Sequence, residues 1–323
     1  MPRRFLPFIL ILVAIFAGGG FATAAFAAEA AHGPEAKHKG LPLKPDVLYY
    51  GIGGHPPTSP DQPETAKIGP LAISNSMVVT WIVAALLILI AHLATRKFQP
   101  VPTGLQNFWE WLVESLYGFL ENMIGRDLVK KTFWFFATIF IFILFLNWFG
   151  LIPGVGTIGW GSYDAAGKFH IEEPWFRGAN ANLNLTFAMA CVFFVCWIVW
   201  ALQANGVGGV IKHIFGPKGD TAGILKVLML FIFFVVGWLE IVSILFRPIS
   251  LSFRLFGNIY AGEIMLESMS HVVPSLSWLI PIPFYFLEIL VGFVQALVFM
   301  LLTAVFTLLI AQHEPGHGEA AHH

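Results

Sequence analysis

Five stretches of this 323-residue sequence are apolar over lengths that match or exceed the thickness of a lipid bilayer. A helix of about 20 apolar residues crosses the hydrocarbon core. Three stretches, near 77–94, 133–152 and 185–204, have the length of a simple span, and two more, at 225–269 and 276–311, exceed it. The sequence therefore predicts an all-α polytopic membrane protein with about five crossing helices, of which the last two are long and tilted.

The composition supports this prediction. Hydrophobic residues make up 57% of the chain and charged residues only 11%, whereas a soluble domain carries about 25% charged residues. The formal net charge is -1. The chain therefore offers no basic surface for nucleic acid, and we expect no nucleic-acid partner.

The N-terminal residues have the pattern of a secretory leader. Two arginines precede an apolar run, and the A-F-A motif that ends at Ala27 fits the small-x-small pattern found before cleavage sites. We expect a signal peptide at 1–27; the alternative is an uncleaved additional helix. Both place Glu29 on the outer side, followed by a loosely ordered extracytoplasmic segment at 28–70.

The distribution of basic residues between the loops predicts the orientation. Residues 96–131 hold five Lys and Arg, residues 205–226 hold three, and residues 153–184 hold two. Because cytoplasmic loops are the richer in Lys and Arg, the first two loops are expected in the cytoplasm. The membrane domain, 71–312, then has its N-terminus outside and a cytoplasmic tail at 313–323.

Residues 105–124 predict a different kind of helix. Glu110, Glu114 and Glu121 fall within about 40° of one another on a helical wheel, and apolar residues cover much of the rest. This pattern is typical of an amphipathic helix on the cytoplasmic surface. Its acidic face is either solvated or a docking face for a partner.

The fourth apolar stretch contains charges that a membrane disfavours. Between residues 238 and 267 it carries Glu240, Arg247, Arg254, Glu263 and Glu267. One charge at mid-membrane costs about 2.5–3.5 kcal/mol on insertion scales. Such residues should face protein or water and mark an ion pathway, although Arg247 could reach an interface and Glu267 could lie near the outer surface. Pro248 adds the expectation of a bent or strongly tilted path.

Helical spacing separates Arg254 from the carboxylates of its own segment. Glu240, Arg247 and Arg254 recur every seven residues and share one stripe, and Asn258 lies one turn beyond. Glu263 is about 180° around the helix and about 13.5 Å along it from Arg254. The counter-charge of Arg254 must therefore come from another helix or another subunit. A permanent cation of this kind suits transient attraction of a moving carboxylate.

The last apolar stretch supplies a second polar stripe. Glu288 and Gln295 are seven residues apart in the segment FLEILVGFVQALVFMLL. Gln295 is either a helix-packing amide or part of the pathway. Glu288 has apolar neighbours on both sides, which favours a role in the pathway.

These segments resemble one known family. RPISLSFRLFGNIYAGE, at 247–263, is similar to the signature of F-type ATP synthase subunit a. EILVGFVQALVFMLLTAVFTLLI resembles the last helix of that family, and NANLNLTFAMA, at 180–190, resembles the start of its middle helix. The resemblance covers roughly residues 71–311.

The resemblance implies a proton-translocating stator subunit with two half-channels. Arg254 matches the arginine that faces the rotor-ring carboxylates and separates the half-channels. Positions that line the half-channels or support this arginine are matched by Glu240, Asn258, Glu263, Glu288 and Gln295. Some relatives have His where this chain has Glu288.

The resemblance also implies partners and a location. The partners are the rotor ring of subunit c, the peripheral-stalk subunit b, the other ATP synthase subunits and the lipid membrane, in a bacterial cell inner membrane. The chain would catalyse no reaction by itself and would need no cofactor. It has no G-x-x-x-x-G-K-[ST] phosphate loop.

Two other classes of protein remain as alternatives. A stand-alone secondary transporter often shows inverted repeats and half-helices, and neither is evident here. A structural membrane scaffold would not need four ionisable groups within the membrane. The four histidines of the tail could bind a metal, but a disordered tail is the prediction.

Overall fold

A computed structural model describes most of the membrane domain, namely residues 46–50, 72–96, 99–163, 169–215, 224–272, 276 and 278–311. The expected signal peptide at 1–27, most of the segment 28–70 and the tail at 313–323 lie outside these residues. The tail reads HEPGH at 313–317. This matches the letters of the H-E-x-x-H zinc pattern, but Pro315 and Gly316 disfavour the helix that the pattern requires.

Six α-helices lie within the described residues, and five of them are long and apolar enough to cross a membrane. The helices are α1 Asn75–Thr95, α2 Leu105–Ile124, α3 Arg126–Gly150, α4 Leu183–Phe215, α5 Ile224–Val272 and α6 Pro281–Ala311. The predicted all-α polytopic fold is confirmed. The remaining helix, α2, is not one of these five candidate spans. Its bounds are those predicted for the amphipathic helix.

Two small antiparallel strand pairs, which the sequence did not predict, cover one end of the helix bundle. The strands are β1 Val47–Tyr49 with β2 Ile73–Ser74, and β3 Gly159–Tyr163 with β4 Phe169–Pro174. The Asn75 side chain donates to the carbonyl of Pro174 at 3.3 Å and so ties the two pairs together. We call this the strand end of the bundle. The opposite end, where α2 connects α1 to α3, is the α2 end.

The third helix forms the centre of the packing. In the most apolar part of α3, 50% of the residues are buried, whereas in α5 the share is 17%. Phe136, Ile143 and Leu146 of α3 are fully buried. On α6, the carbonyl of Gly292 accepts a hydrogen bond from the Asn147 amide at 2.9 Å. The fifth helix therefore lies at the edge of the bundle, with most of its surface uncovered.

The fourth helix extends beyond the predicted span at 185–204. It continues to Phe215 past Gly206, whose φ of 67° breaks the helical conformation. Near this break, Asn205 donates to the carbonyl of Ile310 at 2.6 Å. Because that carbonyl lies in the last turn of α6, where helical partners are missing, the contact fixes the C-terminal end of α6 against α4.

The fifth helix settles the path of the charged segment. It runs as one α-helix of 49 residues through Pro248. Its candidate span, Ile232–Ser270, has 39 residues and is therefore about 58 Å long at 1.5 Å per residue. The hydrocarbon core is only about 30 Å thick. A straight helix of this length would fit within the core only if it were inclined by about 60° to the membrane normal.

The contact between α3 and α6 at Gly292 gives a test of this packing. A Cβ at Gly292 would lie 3.1 Å from the Asn147 Cβ. We expect Gly292→Leu to push the two helices apart and to destabilise the protein by about 1–3 kcal/mol, the usual cost of overpacking. Gly118→Leu in α2 is the control, since a Cβ there meets nothing within 4 Å. Thermal unfolding in detergent compares them; equal midpoints would contradict the close α3–α6 packing.

Candidate functional site

Arg254 lies near the midpoint of the apolar part of α5 and is exposed on its surface. The residues beside it, Leu251 and Leu255, are buried and hold this turn of α5 against the bundle. Arg254 therefore projects from the uncovered side of the helix. Among the described residues, no carboxylate forms an ion pair with it. The sequence had excluded Glu263 as its partner but had left a carboxylate of another helix possible.

Small residues accompany Arg254 on the same face. Ser250, Gly257 and Ala261 are all exposed and lie within about 60° of one another and of Arg254 at 100° per residue. A Cβ at Gly257 would meet nothing within 4 Å. We call these four positions the Arg254 strip. Nothing that the structure describes in this chain fills the space beside it.

One turn from Arg254, two amides connect α5 to α6. The Asn258 side chain donates to the Gln295 carbonyl oxygen at 2.8 Å. Gln295 is buried whereas Asn258 is exposed. This hydrogen bond therefore connects a side chain next to the Arg254 strip with one that is buried between the two helices. Of the two interpretations of Gln295, the structure supports the helix-packing amide, because Gln295 accepts a hydrogen bond across the α5–α6 interface; a role in the pathway stays a prediction.

Glu288 lies buried on α6, two turns from Gln295 towards the strand end. It packs on Gly262 of α5, where an added Cβ would overlap its carboxylate. Among the described residues, no cation pairs with it. A buried carboxylate without a cation is costly in its ionised form, so Glu288 is suited to carry a proton.

Glu263 turns to the side of α5 opposite the Arg254 strip and reaches Arg177. Its carboxylate lies 3.4 Å from the Arg177 Nε and accepts a hydrogen bond from the Gly178 backbone N–H. An added Cβ at Gly178 would overlap this carboxylate. The sequence predicted that Glu263 faces away from Arg254 but did not single out Arg177, which is buried in the loop between β4 and α4.

Glu240 and Arg247, on the α2-end side of Arg254, have a different arrangement. Arg247 is half-buried, with its guanidinium 4.5 Å from the centre of the Phe306 ring and 5.9 Å from that of Trp197. Aromatic faces stabilise a cation in this geometry. Glu240, two turns away, is also half-buried, and its charge acts on Arg247. Arg247 is thus held against α4 and α6, whereas Arg254 is left free for another partner.

Buried amides at the strand end were not predicted as site residues. Asn180 donates to Asn147 at 2.6 Å, and Asn182 donates to Ser76 at 2.7 Å. The Oδ1 atom of Asn180 is buried and accepts no hydrogen bond within the described part of the chain. The spacing of asparagines in the segment NANLN was the available signal. These groups add polar surface to the interior near Glu263 and Glu288.

Comparison with known proteins supports the sequence resemblance. The family model described as "ATP synthase A chain" matches residues 77–307. A protein of Gloeobacter violaceus, "ATP synthase subunit a", is 34% identical over 213 residues, which cover 66% of this chain and 75% of the relative. "ATP synthase subunit a" of Solidesulfovibrio magneticus is 35% identical, over 62% of this chain and 71% of that protein.

The matched region runs from α1 to the last turns of α6 and contains the Arg254 strip, Glu263, Glu288 and the Asn258–Gln295 pair. The family is one of non-catalytic membrane subunits, in agreement with the expectation that the chain is no enzyme by itself. The chain belongs to the ATP synthase subunit a family.

Proposed function

We propose that this chain is the proton-translocating stator subunit of the membrane sector of a bacterial F-type ATP synthase. The observation that carries the proposal is the position of Arg254. It is a permanent cation in the middle of an apolar helix, exposed on the bundle surface, and no carboxylate of the described chain pairs with it. A charge in that position is costly and is stabilised if a carboxylate of another chain faces it.

The proposed partner of the Arg254 strip is the rotor ring of subunit c. The small side chains of Ser250, Gly257 and Ala261 leave room for a neighbouring helix to approach. A carboxylate on such a helix would then meet Arg254. For the peripheral-stalk subunit b we propose the exposed surface of α2, where Glu114 and the apolar side chains of Phe108 and Trp111 are uncovered.

Two half-channels would separate at Arg254. Glu263, Glu288, Gln295 and Asn258 follow one another from the strand end to Arg254 and would form one. Glu240, on the other side of Arg254, would belong to the second. The basic residues at the α2 end, including Arg126 and Lys130, favour a cytoplasmic location for that end. The strand end would then face outwards.

In the proposed mechanism a proton from the outer side reaches a rotor carboxylate and neutralises it. The neutral carboxyl group can then enter lipid without the cost of a buried charge. After nearly a full turn it meets the other half-channel and ionises, and Arg254 stabilises the ionised form because an opposite charge favours it. Each charge that crosses 100 mV yields about 2.3 kcal/mol, which rotation carries to the other subunits.

Replacement of Arg254 tests this mechanism. We expect the complex with Arg254→Ala to assemble, because the substitution removes an exposed charge and leaves Leu251 and Leu255 in place. ATP synthesis should fall at least about 100-fold, since the loss of a stabilising charge worth about 3 kcal/mol has that effect on a rate. Arg254→Lys should not restore it fully, because the ammonium is shorter, more strongly hydrated and able to lose its proton when buried.

The matched control is Arg247→Lys, seven residues away on the same helix. A lysine there can still lie over the Phe306 ring, so coupling should survive. ATP synthesis and ATP-driven proton pumping are measured in membrane vesicles that contain each variant. Synthesis at near wild-type rates in Arg254→Ala would show that the proposed role of Arg254, and with it the mechanism, is wrong.

The proposed relay role of Glu263 and Glu288 has its own test. Glu263→Gln and Glu288→Gln keep the shape of each side chain but remove the group that binds a proton. We expect proton flux through vesicle membranes stripped of the soluble sector to fall about tenfold or more in each variant, with assembly intact. Asp127→Asn, which changes an exposed carboxylate at the start of α3, should have no effect. Normal flux in both single variants and in the double variant would exclude a relay through these residues.

A further inference from the structure

The hairpin of β3 and β4 has an apolar face at the strand end of the bundle. Ile158, which has an extended backbone, and Trp160 are two residues apart, so their side chains lie on the same face of the hairpin. Trp175 lies opposite Ile158, whose carbonyl accepts a hydrogen bond from the Trp175 backbone N–H at 2.8 Å. The rings of Trp160 and Trp175 are in contact, with 5.3 Å between their centroids. We call these three residues the hairpin face.

The hairpin face is uncovered although all three of its side chains are large and apolar. The exposed fraction is 51% for Ile158, 64% for Trp160 and 38% for Trp175. The opposite face of β3 is different, since it carries two glycines and Tyr163. A contiguous exposed apolar surface of this kind marks a site of contact with a membrane or with another protein.

The contacts of the hairpin place this face at the level of the membrane boundary. The carbonyl of Pro174 accepts a hydrogen bond from the side chain of Asn75 at 3.3 Å, and Asn75 is the first residue of the α1 span. Trp175 follows Pro174 directly and is bonded to Ile158. On the other side of the hairpin, only residues 151–158 separate β3 from the end of the α3 span. The hairpin face therefore lies where two spans meet the edge of the bilayer.

We propose that the hairpin face inserts into the interfacial layer of the lipid bilayer, where headgroups meet acyl chains, and anchors the hairpin there. An indole ring suits this layer because it combines a large apolar surface with one N–H donor, and tryptophan is enriched at membrane interfaces. Lipid is favoured over a protein partner because the exposed apolar surface continues from the α3 span through Ile152, which is 51% exposed, to the hairpin. The inference is independent of the proposed function, since it requires only that α1 and α3 span a membrane.

The anchor acts on the loop that follows the hairpin. Arg177 and Gly178 come directly after Trp175 and Phe176, and both contact Glu263 of α5. The chain between the hairpin face and these contacts is only one residue long. A hairpin held in the lipid interface therefore restricts the position of the loop that meets Glu263.

The test measures the surroundings of spin labels on the two faces of the hairpin, in the whole complex reconstituted in liposomes. Single cysteines are introduced as Trp160→Cys and Ile158→Cys in a complex that has no other cysteine, and each is spin-labelled. Tyr163→Cys, on the opposite face of the same strand, is the matched control. Electron paramagnetic resonance gives the collision rate of each label with O2, which concentrates in lipid, and with a water-soluble Ni(II) chelate. The ratio of the two rates should be several-fold higher at positions 158 and 160 than at 163.

Two other results would each overturn the proposal. Equal ratios at all three positions would show that the hairpin face lies in water. Low collision rates with both reagents at positions 158 and 160 would show that a protein covers it. The two labelled positions are independent, and Ile158 and Trp160 are both largely exposed, so each substitution removes little packing. Neither result bears on the role of Arg254.

Discussion

The guanidinium of Arg254 carries a permanent charge at the middle of the longest apolar helix, and the arrangement around it follows from the cost of that charge. Its neighbours Leu251 and Leu255 fix the turn, small residues keep its surroundings open, and no carboxylate of the described chain neutralises it. The other arginine of the same stripe, Arg247, is stabilised by the Phe306 ring. Two arginines seven residues apart on the same stripe therefore differ: Arg247 has partners within the chain, and for Arg254 we propose an external one.

The polar groups of α5 and α6 are held by close contacts of α5 with α6 and with the loop before α4. Gly262 and Gly178 each lie against a glutamate carboxylate, so that a single added Cβ would displace it. Amides at Asn258, Gln295 and Asn147 bond across helices. In a membrane such contacts replace the hydrophobic effect as the source of specificity between helices. In the proposed function, the same contacts that hold α5 and α6 together would also place protonatable groups in series.

Much of this arrangement could be predicted from the sequence, because its signals are local. The lengths of the apolar stretches predicted the five spans. The spacing of Glu110, Glu114 and Glu121 predicted that α2 is amphipathic. The nine-residue separation placed Glu263 opposite Arg254. The partners of these residues could not be predicted, since the contacts of Arg177 with Glu263 and of Asn75 with Pro174 join residues far apart in sequence. The pairing of β1 with β2 was missed for the same reason: both strands are short, and their pairing depends on a fixed approach of the chain to the bundle.

The central claim is that the Arg254 strip faces a carboxylate-bearing helix of another subunit, and cross-linking tests it most directly. Cys191 and Cys196 are first replaced by serine, and a cysteine is introduced at Gly257, beside Arg254 on the exposed face. A second cysteine is placed next to the carboxylate of the rotor subunit, and disulfide formation is measured after mild oxidation of the membranes. We predict a cross-link through Gly257→Cys and none through Leu255→Cys, whose side chain is buried. A cross-link through position 255 but not through 257 would contradict the account.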